Sequence, residues 1–153
     1  MKLLILIPIL LSLLNLNFWE KNEITLQQNN LLKGKWKSER IQVQYVVDSH
    51  LVHEQEITTE KCTVYDFENT IVRVKYPDGT SAQGTYSLVT EAEEKKIVLH
   101  LPSTTTTYLL ISITPTHMIW QKDLDDVYYK EGLKQKSAER AIYTEVFKII
   151  NTK

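Results

Sequence analysis

From Lys61 to Trp120, apolar and β-branched residues recur in short alternating runs, most of them about five to eight residues long. Cys62 to Phe67, Ile71 to Tyr76, Gly84 to Val89, Ile97 to Leu101, Thr106 to Ile113 and Met118 to Trp120 follow one another with few polar residues between them. Turn residues close each run. Pro77-Asp78-Gly79 is the clearest case, because proline presets φ and glycine accepts the left-handed position that completes the turn. Glu91 to Lys96 reads as a solvated hairpin tip, and Thr114-Pro115-Thr116 as another tight turn. This spacing predicts an antiparallel meander, either a sandwich or a closed barrel.

Upstream, Lys35 to Val47 is long for one strand. Trp36 falls on one parity and Ile41, Val43 and Tyr45 on the other, so a flat strand could not bury both sets. A bulge between Ser38 and Arg40 restores the register, a device that bent barrel strands need. Leu51 to Ile57 reads as a weaker, polar strand at the rim. Gly84, inside a strand pattern, marks a place where the sheet curves. Downstream of Trp120 the pattern loosens: Asp123 to Gln135 is charged and reads as a long loop, with room for a short strand. The segment from Ala138 to Ile150 fits either a helical stripe or a closing strand. The strand, from about Ile142 to Ile150, is preferred because a meander needs a last partner for its first strand.

The N-terminus stands apart. After Met1-Lys2 the chain is nearly all Leu and Ile to Leu16, an apolar run shorter than the roughly 20 residues of a membrane span. Residues 1–19 therefore read as a secretory leader, with an uncleaved interfacial anchor or a buried helix as the alternatives. The leader has no cysteine that could take a lipid and no small-x-small cleavage pair. Residues 20–30 are a polar spacer leading into a short helical turn, and 31–153 form the domain. Export implies a periplasmic or extracellular location.

Composition narrows the function. A net charge of −1 with both signs interspersed leaves no electrostatic footprint for nucleic acid. The single cysteine, Cys62, cannot form an internal disulfide, so the domain must hold together by apolar burial. With four glycines in the chain, a phosphate-cradling loop is nearly excluded, and there is no nucleophile elbow and no zinc-binding His-Glu-x-x-His helix. His50 and His53 beside Glu54 and Glu56 are the nearest thing to a metal cluster, but that spacing puts the two histidines on opposite faces of a regular strand. His100 alternates with Leu99 and Leu101 and points away from their face. No catalytic, metal or cofactor site is assigned. The aromatic residues Tyr45, Tyr65, Tyr86, Tyr108 and Trp120 lie on successive strands, where they either fill a core or line an internal cavity.

Three segments carry a resemblance: Leu31 to Trp36 with its Gly-x-Trp element, Gly84 to Leu88, and Tyr108 to Trp120. Together they resemble the lipocalin-like family of small exported bacterial proteins, common in Bacteroidetes-type genomes. The resemblance implies an up-and-down β-barrel of about eight strands entered through a short N-terminal helix, with Trp36 plugging the closed end. It implies binding of a small hydrophobic molecule in the interior; Tyr45, Tyr65, Tyr86, Tyr108 and Trp120 are then the ligand-binding set on the residues' own placement, and with no acid–base pair standing out the function is read as non-enzymatic. The protein is expected to be a monomer that meets the membrane only through an uncleaved leader. The rival expectation is a protein-interaction module, an inhibitor or immunity-type partner, with a filled barrel and recognition through Asp48 to Glu60 and Asp123 to Ser137.

Overall fold

The structure, a computed structural model, describes residues 30–58 and 62–150. The 1–19 leader and nearly all of the 20–30 spacer lie outside the described residues. A helical turn at 30–32 leads into nine strands. These are β1 (Gly34–Val47), β2 (His50–Ile57), β3 (Val64–Glu68), β4 (Ile71–Lys75), β5 (Ser81–Glu91), β6 (Glu94–Leu101), β7 (Thr104–Ile113), β8 (His117–Glu131) and β9 (Lys134–Ile150). Every pairing is antiparallel. Neighbours from β3 to β9 pair in chain order, and β1 then pairs with β9, closing an eight-strand barrel with β2 as one extra strand.

β1 makes this possible by serving two partners along one edge. Its first residues, Gly34 to Lys37, pair with β3, while Ile41 to Val47 pair with β2. Its other edge runs against β9 for nearly its whole length, from Lys35 opposite Ile150 to Val46 opposite Arg140. The expected bulge is present. Ser38 faces Phe147 and Arg40 faces Val146, leaving Glu39 as the extra residue. Because side chains alternate strictly along a strand, that one insertion puts Trp36 and Val43, both fully buried, on the same inner face.

The C-terminal segment is the closing strand, and it is longer than its sequence suggests. β8 and β9 form one hairpin from His117 to Ile150, so Asp123 to Gln135 is not a loop. Asp126, at φ 51°, interrupts the ladder between the pairs Asp125–Arg140 and Val127–Ala138. The upper ends of β8, β9, β1 and β2 continue past the barrel as an extension with its own small core of Val43, Tyr45, Tyr129, Ala138 and Ala141. Its polar outer positions explain why periodicity fades there.

The barrel has a lower and an upper end. The lower end carries the turns at 69–70, 92–93 and 114–116 together with the helical turn. There Leu32 and Trp36 are fully buried, and Trp36 Nε1 donates to the Leu32 carbonyl at 2.7 Å. The tryptophan thus ties the incoming chain across the barrel floor. At the upper end, Tyr76 N–H donates to Thr80 O and Gly79 N–H to Tyr76 O, with Gly79 at φ 89°. The predicted Pro77-Asp78-Gly79 turn is in place, and Asp78 Oδ1 accepts from both the N–H and the hydroxyl of Thr80.

Gly84 stands at a corner of the sheet. β5 pairs with β4 up to Thr85 and with β6 from Thr85 onward, so the sheet turns at this point. A methyl group on Gly84 would lie 1.9 Å from the His100 carbonyl oxygen, which is backbone and cannot swing away. Gly84→Ala is therefore expected to lower stability to chemical denaturation by about 3 kcal/mol or to prevent folding, since overpacking without a soft neighbour forces backbone shifts. An alanine variant with the wild-type urea midpoint would show that the two strands do not approach so closely.

Candidate functional site

The inner face is graded in polarity from floor to mouth. In the lower and middle barrel the packing is aromatic and largely buried. Phe67 meets Tyr86 edge-on at 4.9 Å, and Trp120 meets Phe147 edge-on at 4.5 Å and Tyr65 at 5.0 Å. Tyr108 stacks on the Trp120 indole at 4.3 Å. Above these rings the inward side chains are only half-buried: Tyr76, Tyr108, Lys122, Tyr143 and Glu145 all retain contact with solvent. Registers explain the grouping. Trp120 lies opposite Glu145 and Lys122 opposite Tyr143 on the β8–β9 ladder, all with inward parity.

Glu145 is the unusual member. Its Oε2 accepts a hydrogen bond from Trp120 Nε1 at 3.1 Å, and Ser38, itself buried, hydrogen-bonds the same carboxylate. Burial pushes its pKa up, against the opposing pull of Ser38, Trp120 and the Lys122 charge. The neighbouring phenols respond to the same environment. Desolvation first, and then the Glu145 charge, hold the Tyr65 hydroxyl well above its ordinary value and push Tyr108 up to about 12. Tyr65 and Tyr108 hydrogen-bond to each other through their hydroxyls, and both stay neutral across the physiological range. Lys122 completes the group, its Nζ lying 5.8 Å from the Tyr108 ring centroid and 5.6 Å from that of Tyr143.

Of the five aromatic residues expected to line a cavity, the fold brings three together: Tyr65, Tyr108 and Trp120. Tyr86 sits lower, against Phe67, on the wall of a surface recess of about 420 Å3 that includes Asn30, Lys33 and Asn69. Tyr45 belongs to the extension, where its ring lies 4.8 Å from that of Tyr129 and 5.7 Å from that of His53. It reaches the mouth indirectly, through a hydrogen bond with Tyr143. Trp36, the expected plug, is at the floor.

Glu145, Ser38, Lys122 and Tyr143 went unpredicted. The signal for Glu145 is present once β9 is read as a strand, because Ala141, Tyr143, Glu145, Phe147 and Ile149 then share a face. A carboxylate on that apolar face is the anomaly.

A bulge at Val52 in β2 puts His50 and His53 at positions of the same register face, contrary to the regular alternation expected. Even so, among the described residues no group of three His, Cys, Asp or Glu side chains is placed to hold a metal ion. His100 is exposed, as expected, with Nδ1 3.2 Å from the Thr105 hydroxyl.

The raised pKa of Glu145 has a consequence for stability. A carboxyl group whose folded pKa exceeds its unfolded value favours the fold at low pH and loses that contribution as pH rises through the folded value. Once ionised, the side chain opposes folding relative to its protonated form. Glu145→Gln keeps an acceptor for Trp120 Nε1 and removes the charge. It is expected to melt several degrees above wild type at pH 7.5, the gap narrowing as pH falls toward the ordinary carboxylate value of 4.5. A variant that melts lower than wild type at pH 7.5 would show that the ionised form is the better-bonded one.

No family model matches the chain, and no curated protein matches it. Among solved structures, it is similar to a lipocalin-like protein from Bacteroides uniformis, at 18% identity over 78% of this chain and 99% of that one, with a TM-score of 0.43. A likeness that distant does not carry a site or a function across, and the closed antiparallel barrel rests on its own strand pairing.

Proposed function

We propose that this chain is an exported, non-enzymatic binding protein that takes a small hydrophobic molecule into the upper half of its barrel. One observation carries the reading: a closed, aromatic lower interior gives way to a half-buried ring of Tyr76, Tyr108, Lys122, Tyr143 and Glu145. Apolar walls with a few convergent polar groups are the usual make-up of a small-molecule site. Trp120, Tyr65 and Tyr108 supply the apolar faces, and the hydroxyls of Tyr65 and Tyr108 orient the bound molecule. An apolar ligand burying roughly 300 Å2 would gain about 7 kcal/mol before ordering costs, enough for micromolar affinity without special chemistry. The protein would act as a monomer.

A second reading, recognition of another protein by the extension, has its own support. Leu133 is 107% exposed, Tyr128 68% and Leu51 56%, and all three sit on the β8–β9 hairpin or on β2. In that case the barrel would be scaffold and the extension the working surface.

Titration with the neutral fluorophore N-phenyl-1-naphthylamine separates the two. Ligand binding in the barrel is expected to give saturable enhancement with a Kd on the order of micromolar. Tyr108→Ala should weaken it about fivefold or more, and Leu133→Ser should leave it unchanged. Enhancement lost in Leu133→Ser and kept in Tyr108→Ala would place the apolar site on the extension and favour the second reading.

A further inference from the structure

We propose that the barrel mouth recognises the protonated amine of a hydrophobic amine, received by the Glu145 carboxylate between the Tyr108 and Tyr143 rings, with Lys122 as a built-in competitor for those rings. The inference rests on the barrel being a ligand site and names the chemistry of its polar end.

Three observations converge. The first is the acceptor count at Glu145. An ionised carboxylate offers about four acceptor positions, and the described partners are Trp120 Nε1 and the Ser38 hydroxyl. The carboxylate keeps capacity for a further donor, and Glu145 retains some exposure to solvent. The second is the wall. Tyr65, Tyr108, Trp120 and Tyr143 surround the carboxylate on β3, β7, β8 and β9. Trp120 meets the carboxylate through its N–H edge, while the Tyr108 and Tyr143 rings are the ones that a cation can approach. The third is that a cation already lies there. The Lys122 ammonium sits 5.8 Å from the Tyr108 ring centroid and 5.6 Å from that of Tyr143. It shows where positive charge is favourable in this mouth.

The alternatives fit less well. An anionic head, such as a fatty acid carboxylate, would gain Lys122 but enter beside Glu145 with like charge. A neutral ligand would cover Glu145 further and add nothing to the Lys122 charge that partly balances it. An ammonium supplies donors and charge together. Its alkyl or aryl remainder would lie against Trp120 and Tyr65. Lys122, on a flexible stem opposite Tyr143, can swing outward to solvent when a ligand cation takes its place.

The test is calorimetric titration of the purified full chain with decylamine, 1-decanol and decanoate at pH 7.5, three probes that share a chain and differ in charge. Decylamine is expected to bind about tenfold tighter than decanol, the increment of one good charge contact. In Glu145→Gln that preference should fall to within about twofold, with decanol binding unchanged or tighter. Lys122→Met should tighten decylamine about three- to tenfold by removing the competitor. The two substitutions thus act in opposite directions on one ligand, which a general loss of folding cannot mimic. Tightest binding by decanoate, lost in Lys122→Met, would overturn the proposal in favour of an anion site. Equal binding of decanol and decylamine, indifferent to Glu145→Gln, would overturn the amine assignment and leave the barrel-ligand reading standing. No binding of any probe would overturn both.

Discussion

The structure depends on one pairing, that of the first strand with the last. β1 meets β9 along almost its entire length, and the insertion of Glu39 lets that single strand bury Trp36 at the floor and Val43 near the mouth on the same face. Without the bulge, either the floor plug or the Ile41–Val43–Tyr45 set would point to solvent. Without the pairing, β1 and β9 would both be edges, and the chain has no disulfide to hold the sheet curled. Barrel closure thus does what a disulfide does in many small domains.

Closure also sets the gradient along the interior. The floor is fully buried because Leu32, Trp36, Phe67 and Phe147 converge there from the N-terminal turn, β1, β3 and β9. The mouth is half-open because β7 and β8 separate above Gln121, β8 continuing with β9 while β7 keeps only β6. Lys122, Tyr108, Tyr143 and Glu145 occupy this divergence. A carboxylate partly withdrawn from water, its pKa raised by burial, is not what stability alone would select at that position. It belongs with the phenols and the lysine around it as the polar end of an otherwise apolar interior.

Much of the fold was legible because barrel strands alternate, and alternation survives in a single sequence. The parity conflict between Trp36 and Ile41 located the bulge, the Pro77-Asp78-Gly79 triplet located a hairpin, and a glycine inside a strand located the corner where β5 passes under the His100 carbonyl. The long β8–β9 hairpin was not legible. In Asp123 to Gln135 both faces of the sheet carry charge, and the irregularity at Asp126 shifts the phase partway along, so no period of two persists. The site divided the same way. Tyr65, Tyr108 and Trp120 were marked by type and strand. Glu145 was missed although the strand from Ile142 to Ile150 was preferred, because both faces of that segment carry apolar residues and the alternation alone does not say which face is inward. Tyr45 and Tyr86 have the right residue type, but which level of the barrel a side chain occupies depends on stagger between strands, and one sequence does not disclose stagger.

Closure is tested most directly by interstrand backbone NOEs between β1 and β9 in an NMR spectrum of the folded domain. Contacts are expected at Lys37–Lys148 below the bulge and at Val43–Tyr143 above it, the register between them displaced by one residue at Glu39. Absence of both sets in a folded sample, with β1 amides exchanging as a free edge, would contradict the closed barrel and the interior on which the proposed site depends.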